Sequence, residues 1–323
     1  MLKDTLLKLL TIPGPSGYEA ACADYIEEEL KPYADEISRD VMGNLICVKH
    51  GRGGKKVMLS AHMDEIGFIV TAIEDAGYLR VSTIGGVRPA ISQANHVVLK
   101  SGAHGIVFQE AGSEGVLFID IGASSKEEAE KKAMIGDWAV IRGQISDMGD
   151  RIAAPYMDDR CGCAVLMEAF KALDGQESEV YAVFSTQEEV GCRGAQTAGY
   201  AIAPDMAIAL DVTVAMDVPR AKNNSAYVIS KLGEGAAVKI MDSGIVAHPA
   251  VVDALEEAAK KANVKWQREV LTGGATDVAT ISLTRGGVPS GTISIPCRYV
   301  HAPCEMIDMR DMDGAVKILL NVL

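Results

Sequence analysis

Residues 56–65 read KVMLSAHMDE, an apolar run that stops abruptly at His62 and is followed by Asp64 and Glu65. A short apolar run with such a break reads as a buried strand. The same punctuation recurs downstream. Glu188 and Glu189 follow VYAVFSTQ, Asp211 directly follows MAIAL, and His301 directly follows TISIPCRYV. Four strands thus end in residue types that bind metals or carry protons. Open α/β sheets present their ligands at the carboxyl ends of strands. The four ends therefore predict one crevice.

Working outward, strands alternate with helices from Asp158 onward: helix 159–173, strand 180–185, a short helix 194–200, strand 206–210, strand 238–241, helix 249–262, strand 265–271, helix 276–284, strand 289–295 and helix 313–322. That alternation predicts an α/β fold, a mixed sheet sandwiched by helices on both faces. Upstream, Tyr18, Cys22, Tyr25, Ile26 and Leu30 recur at helical spacing before Pro32, and 37–48 reads as a hairpin turning at Met42-Gly43-Asn44. Between 67 and 154 the texture changes to short β-like segments separated by glycine-rich turns, with one helical stretch at 125–134. That is the pattern of a small β-barrel-like domain. The expected organisation is one α/β domain, 1–66 with 155–323, split by an inserted β domain, 67–154.

Composition excludes several function classes. A chain of 323 residues corresponds to about two domains. Acids outnumber bases 44 to 31, for a net charge of -13. This argues against a nucleic-acid binder and against a surface made for anionic membranes. Aromatics at 5% leave no base-stacking platform. Residues 1–10, MLKDTLLKLL, form an amphipathic helix rather than a signal peptide, and no apolar run is long enough to span a membrane. Seven cysteines, an odd number without a secreted spacing, point to free thiols and a cytoplasmic location. The chain stops soon after its last helix, so no C-terminal appendage is expected.

Imidazole with carboxylate suits zinc, cobalt or manganese. Asp64, two residues after His62, is placed to orient that imidazole by accepting its second N–H. Asp158 opens a helix and is placed to face a cation in the crevice. Of Glu188 and Glu189, one can bind metal while the other acts as general base and later general acid. Each residue alone has a plainer explanation: a loop histidine, a solvated glutamate pair, a helix N-cap, a turn aspartate. Together they share one position type, and independent plain explanations multiply poorly. Cys161 and Cys163 on one helical turn do not close a tetrahedral site. The run from Gly51 to Lys56 lacks the Ser/Thr and the following helix of a phosphate loop. His50, His96, His104 and His248 are assigned to surface or structural roles.

These residues resemble the cobalt- or zinc-dependent aminopeptidases of the tetrahedral type, which include glutamyl aminopeptidases and members with endoglucanase-like names. The resemblance rests on residues 60–68 (SAHMDEIGF), 84–89 (IGGVRP), 157–162 (MDDRCG), 187–195 (QEEVGCRGA), 210–213 (LDVT), 274–277 (GATD) and 295–301 (IPCRYVH). It implies a zinc-peptidase-like catalytic domain with an inserted dimerisation domain. It implies two divalent ions per subunit, zinc or cobalt, with manganese as a further option. His62 and Asp211 would hold one ion, Glu189 and His301 the other, and Asp158 would bridge them. Glu188 would be the general base for water activated between the ions, and Asp64 the partner of His62. Asp159 stands where the family often has Asn. The implied substrates are peptides, and the implied assembly is a homo-oligomer of dimers, often a tetrahedral dodecamer. The alternatives are a two-metal deacylase or carboxypeptidase and, against two strand-end histidines and few aromatics, a glycoside hydrolase.

Overall fold

The computed structural model describes residues 1–219 and 229–323. Its larger sheet contains, in spatial order, Glu36–Arg39, Leu45–Lys49, Glu179–Ser185, Lys56–His62, Met206–Val214, Ser290–Arg298, Glu305–Asp308, Arg151–Ala154 and Ser146–Asp147. Ala236–Met241 pairs with Ser290–Arg298 and with Trp266–Val270 off this path. The four central strands, from Glu179–Ser185 to Ser290–Arg298, run parallel. Their carboxyl ends therefore share one edge.

Side chains alternate between the sheet faces, as the two-residue period of a strand requires. In Lys56–His62, Val57, Leu59 and Ala61 enter a core with the helices Leu2–Leu9, Met157–Lys171 and Met309–Val322. Met58 enters a separate core on the opposite face with Ala195 and Ala198 of Arg193–Ile202 and with Val278 and Ile281 of Val278–Ile281. Helices cover both faces, so each central strand is apolar on both sides. Every fully buried Leu or Ile contributes roughly 2 kcal/mol by leaving water.

The insert is a closed six-stranded antiparallel barrel in the order Gly67–Ile73, Leu79–Ile84, Leu117–Asp120, His104–Gln109, Asn95–Leu99 and Trp138–Ile141. Phe68, Val70, Leu79, Val97, Leu99, Val107 and Ile119 fill it, a core of its own.

Three expectations need correction. The barrel closes at Ile141, short of the expected boundary at 154. Arg151–Ala154 pairs antiparallel with Glu305–Asp308 in the large sheet, and Ile152 and Ala154 point into the main core, not the barrel. The strand expected to stop at Leu210 continues to Val214, because its parallel partner runs equally far and pairs Asp211 with Ser294 and Val212 with Ile295. Asp211 is therefore inside its strand, not after it. Finally, the helix expected at 125–134 is a single turn, Lys126–Ala129, capped by the Ser125 hydroxyl accepting from the Glu128 amide. Among the described residues no helix is long and apolar enough to cross a membrane. All seven cysteines are free thiols, six of them buried.

Candidate metal centre

The parallel strands bring the residues named from the sequence to one crevice. His62 ends its strand and is 1% exposed. Its Nε2 stands 3.0 Å from Asp158 Oδ1, 3.9 Å from Asp211 Oδ1 and 4.0 Å from Glu188 Oε2. His301, just beyond the strand Ser290–Arg298, places Nε2 3.3 Å from Asp158 Oδ2 and 3.4 Å from Glu189 Oε1. The two oxygens of Asp158 thus face different histidines. Asp158 and Asp159 lie within Met157–Lys171 but have non-helical backbone, so regular helix begins only after them.

Outer partners hold this set in place. His62 Nδ1 lies 3.1 Å from the main-chain carbonyl of Asp64 and 3.5 Å from its Oδ1. The sequence reading expected the carboxylate to take this bond. The shorter contact is to the main chain, and the Asp64 carboxylate is committed elsewhere. It accepts the amides of Glu188 at 2.9 Å and Glu189 at 3.2 Å, and the Ser16 hydroxyl at 2.6 Å. Asp64 therefore grips both the first histidine and the glutamate pair. Donation from Nδ1 to the carbonyl leaves Nε2 as the ring nitrogen facing the carboxylates. His301 Nδ1 is fixed in the same way by the Gly86 carbonyl at 3.1 Å, a contact supplied by the barrel. Gly86 has no room for a side chain, since an added Cβ would lie 2.5 Å from His301 Nδ1.

Glu305 is buried beneath the set, where one carboxylate accepts the Asp158 amide at 3.0 Å and the His301 amide at 2.6 Å. Gln187 and His301 have φ of 56° and 60°, left-handed backbone that costs a non-glycine residue energy and is held by these surroundings. Glu305 and Ser16 carry no local signal in the sequence: Glu305 acts on main-chain amides, and the Ser16 hydroxyl reaches a carboxylate far along the chain. Gly86 and Asp277 lie within the quoted motifs. Asp277 is buried and accepts the hydroxyls of Ser60 at 2.5 Å and Ser185 at 2.6 Å. Of residues 213–235, which follow Asp211, residues 220–228 lie outside the described residues.

The electrostatics are one-sided. Among the described residues, no lysine or arginine forms an ion pair with Asp158, Glu188, Glu189 or Asp211; their ion-pair partners are the two histidines. Burial lowers the basicity of His62, but the nearby carboxylates of Asp158 and Asp64 and the charges of Glu188 and Asp211 outweigh it and push its pKa well up. Burial also lowers His301, yet Asp158 and Glu189 push it up to about 12. Burial raises Asp158, but hydrogen bonds from both imidazoles hold it below the usual range. Burial holds Glu188 well above that range. Burial together with the Asp158 charge does the same to Asp211.

This cluster fits divalent cations. His62, Asp158 and Glu189 offer ligand atoms within 4.8 Å of one another, and so do His62, Asp159 and Asp211. Glu188 groups instead with Cys192 and Asp277. Asp159, buried beside Asp211, leaves its Oδ2 without a hydrogen-bond partner, a further acidic atom turned toward the same charge deficit. Mixed imidazole and carboxylate donors suit zinc, cobalt and manganese.

Known proteins resemble this chain over nearly its whole length. The profile of the M42 glutamyl aminopeptidase family matches residues 43–318. A lysyl aminopeptidase of Pyrococcus furiosus is 36% identical over 99% of this chain and 96% of its own length. The structure of aminopeptidase APDkam598 from the archaeon Desulfurococcus kamchatkensis superposes with a TM-score of 0.93 at 40% identity, covering 99% of this chain and 93% of that one. The TET1 peptidase of Pyrococcus horikoshii, described as able to assemble into a tetrahedron or a large octahedral shell, has a TM-score of 0.87 at 29% identity, covering 99% and 98%.

Proposed function

The chain belongs to the M42 glutamyl aminopeptidase family, a family of peptide hydrolases, and from that premise we propose that it removes N-terminal residues from peptides at a two-metal centre with Glu188 as the general base. The observation that carries this reading is the Asp158 carboxylate, which turns one oxygen to His62 and the other to His301. In it, His62 and Asp211 would hold one divalent ion and Glu189 and His301 the other, with Asp158 contributing to both. Bound there, the ions would supply an acidified water and Lewis-acid polarisation of the scissile carbonyl.

The chain's own residues do the rest. Glu188 lies next to the histidine–carboxylate cluster without joining its ligand groups, and burial keeps its carboxylate basic. It takes a proton from the attacking water and passes it to the departing amine. Asp64 aims Glu188 and Glu189 together through their amides. Glu305 sets the spacing of Asp158 and His301 through theirs.

The family is described as glutamyl and the Pyrococcus furiosus relative is named lysyl. These are opposite charges, so neither name sets the preferred residue here. The proposed assembly is a homo-oligomer of barrel-linked dimers, up to a tetrahedral dodecamer as its relatives suggest. Met134 and Ile135 of the inserted segment, 65% and 67% exposed, support a surface that is covered by another copy.

The test is Glu188→Gln. Loss of roughly 10²–10⁴ in kcat with metal content unchanged is expected. A variant that binds metal normally and keeps full activity would sink the reading.

A further inference from the structure

Beside the metal centre the crevice opens into a cleft of about 370 Å³. Asp158, Glu188, Glu189, Asp211 and His301 belong to its lining. So do the apolar Val214, Leu271 and Ala275, together with Thr213 and Lys239. In the proposed reaction the bond cleaved joins the first residue to the second, and this cleft is taken as the place of the first residue's side chain. The inference below rests on that reading of the reaction.

Lys239 is unusual in being 1% exposed. It sits on Ala236–Met241, in register with Glu269 on one neighbouring strand and Thr292 on the other. Its ammonium lies 3.2 Å from Glu269 Oε1 and 3.3 Å from Asp242 Oδ2. Glu269 Oε1 also accepts the Thr213 hydroxyl at 2.6 Å, which ties this group to the strand that carries Asp211. Two buried carboxylates therefore neutralise one buried ammonium and leave one negative charge over. Of the three charged groups, only Lys239 lines the cleft.

We infer that Lys239, compensated by Asp242 and Glu269, makes this cleft select an uncharged N-terminal side chain of the leucine, methionine or glutamine type. A basic side chain in the cleft is repelled by the Lys239 ammonium, the one lysine of its lining among the described residues. An acidic one meets an ammonium already held by two carboxylates, with a surplus of negative charge behind it. A neutral chain packs on Val214, Leu271 and Ala275. A lysine has three donors, and the third is available to a neutral acceptor at the chain's tip.

The test uses the full-length, metal-loaded protein and three chromogenic substrates carrying leucine, glutamate or lysine. For the unaltered protein, kcat/KM for leucine is expected to exceed both others by at least about tenfold. Glu269→Gln, which keeps size and leaves Asp242 as partner, is expected to raise the glutamate-to-leucine ratio by about fivefold or more. Lys239→Met is expected to raise the lysine-to-leucine ratio by a similar factor. Ratios in either folded variant equal to those of the unaltered protein overturn the inference, as does a preference of the unaltered protein for glutamate or lysine. The last arm decides even where the variants do not fold. Turnover of none of the three substrates overturns the aminopeptidase reading itself, and this inference with it.

Discussion

The two ends of the crevice hold buried charge in opposite ways. At the metal end, Asp158, Glu188, Glu189 and Asp211 face two imidazoles, with no lysine or arginine ion-paired to any of the four among the described residues. In the same cleft, Lys239 is held between Asp242 and Glu269. The second cluster carries its own cation within the chain, with one negative charge over. The first carries no lysine or arginine among the described residues, and buried carboxylates without cations raise one another's energy. It is completed by something outside the chain. On the proposed reading, the Lys239 cluster belongs to the scaffold and the four carboxylates with their histidines to the reaction.

Neutralising an acid should therefore have opposite consequences at the two ends. Asp211→Asn removes a charge that burial and Asp158 disfavour. It should cost 10³-fold or more in activity, on the order of a lost catalytic metal ligand, while raising the melting temperature of the chelated protein. A variant that melts lower than the chelated unaltered protein would break the contrast. Glu269→Gln should do the reverse and destabilise by about 2 kcal/mol, since it weakens a buried pair without touching the ligands. Denaturant unfolding measures this, and no loss would mean that the Lys239 cluster contributes no stability.

A smaller effect sharpens the metal end alone. Gly86→Ala must push the His301 ring aside, because its Cβ would overlap Nδ1. Activity should fall about tenfold, with weaker metal retention and an unchanged unfolding midpoint in the chelated protein. Activity equal to the unaltered protein would show that the barrel's contact with His301 is incidental.

Much of this arrangement was legible in the sequence because parallel strands share an edge. His62, Glu188, Glu189, Asp211 and His301 could be assigned to one crevice from where apolar runs stop, and the structure places them there. What was illegible is what acts through the main chain: Gly86 holds His301 by its carbonyl, and Glu305 holds Asp158 and His301 by their amides. The Ser16 hydroxyl on the Asp64 carboxylate is equally unmarked by residue type or spacing. Asp64 shows the same limit from the other side: its place beside His62 was readable, but its grip on the Glu188 and Glu189 amides was not. Strand ends were misread where a charged residue remains paired, as Asp211 does with Ser294. The barrel's end was misread because Arg151–Ala154 looks like any short strand until its partner, Glu305–Asp308, is known.

The acidic end of the crevice is proposed to hold two divalent ions. Titration of zinc, cobalt or manganese into the chelated protein, with bound metal and leucine-substrate hydrolysis followed together, is the decisive measurement. Uptake of two ions per chain is expected, with activity that returns as they bind. Full activity in the chelated protein, or saturation with no ion at these ligands, would rule the two-ion site out.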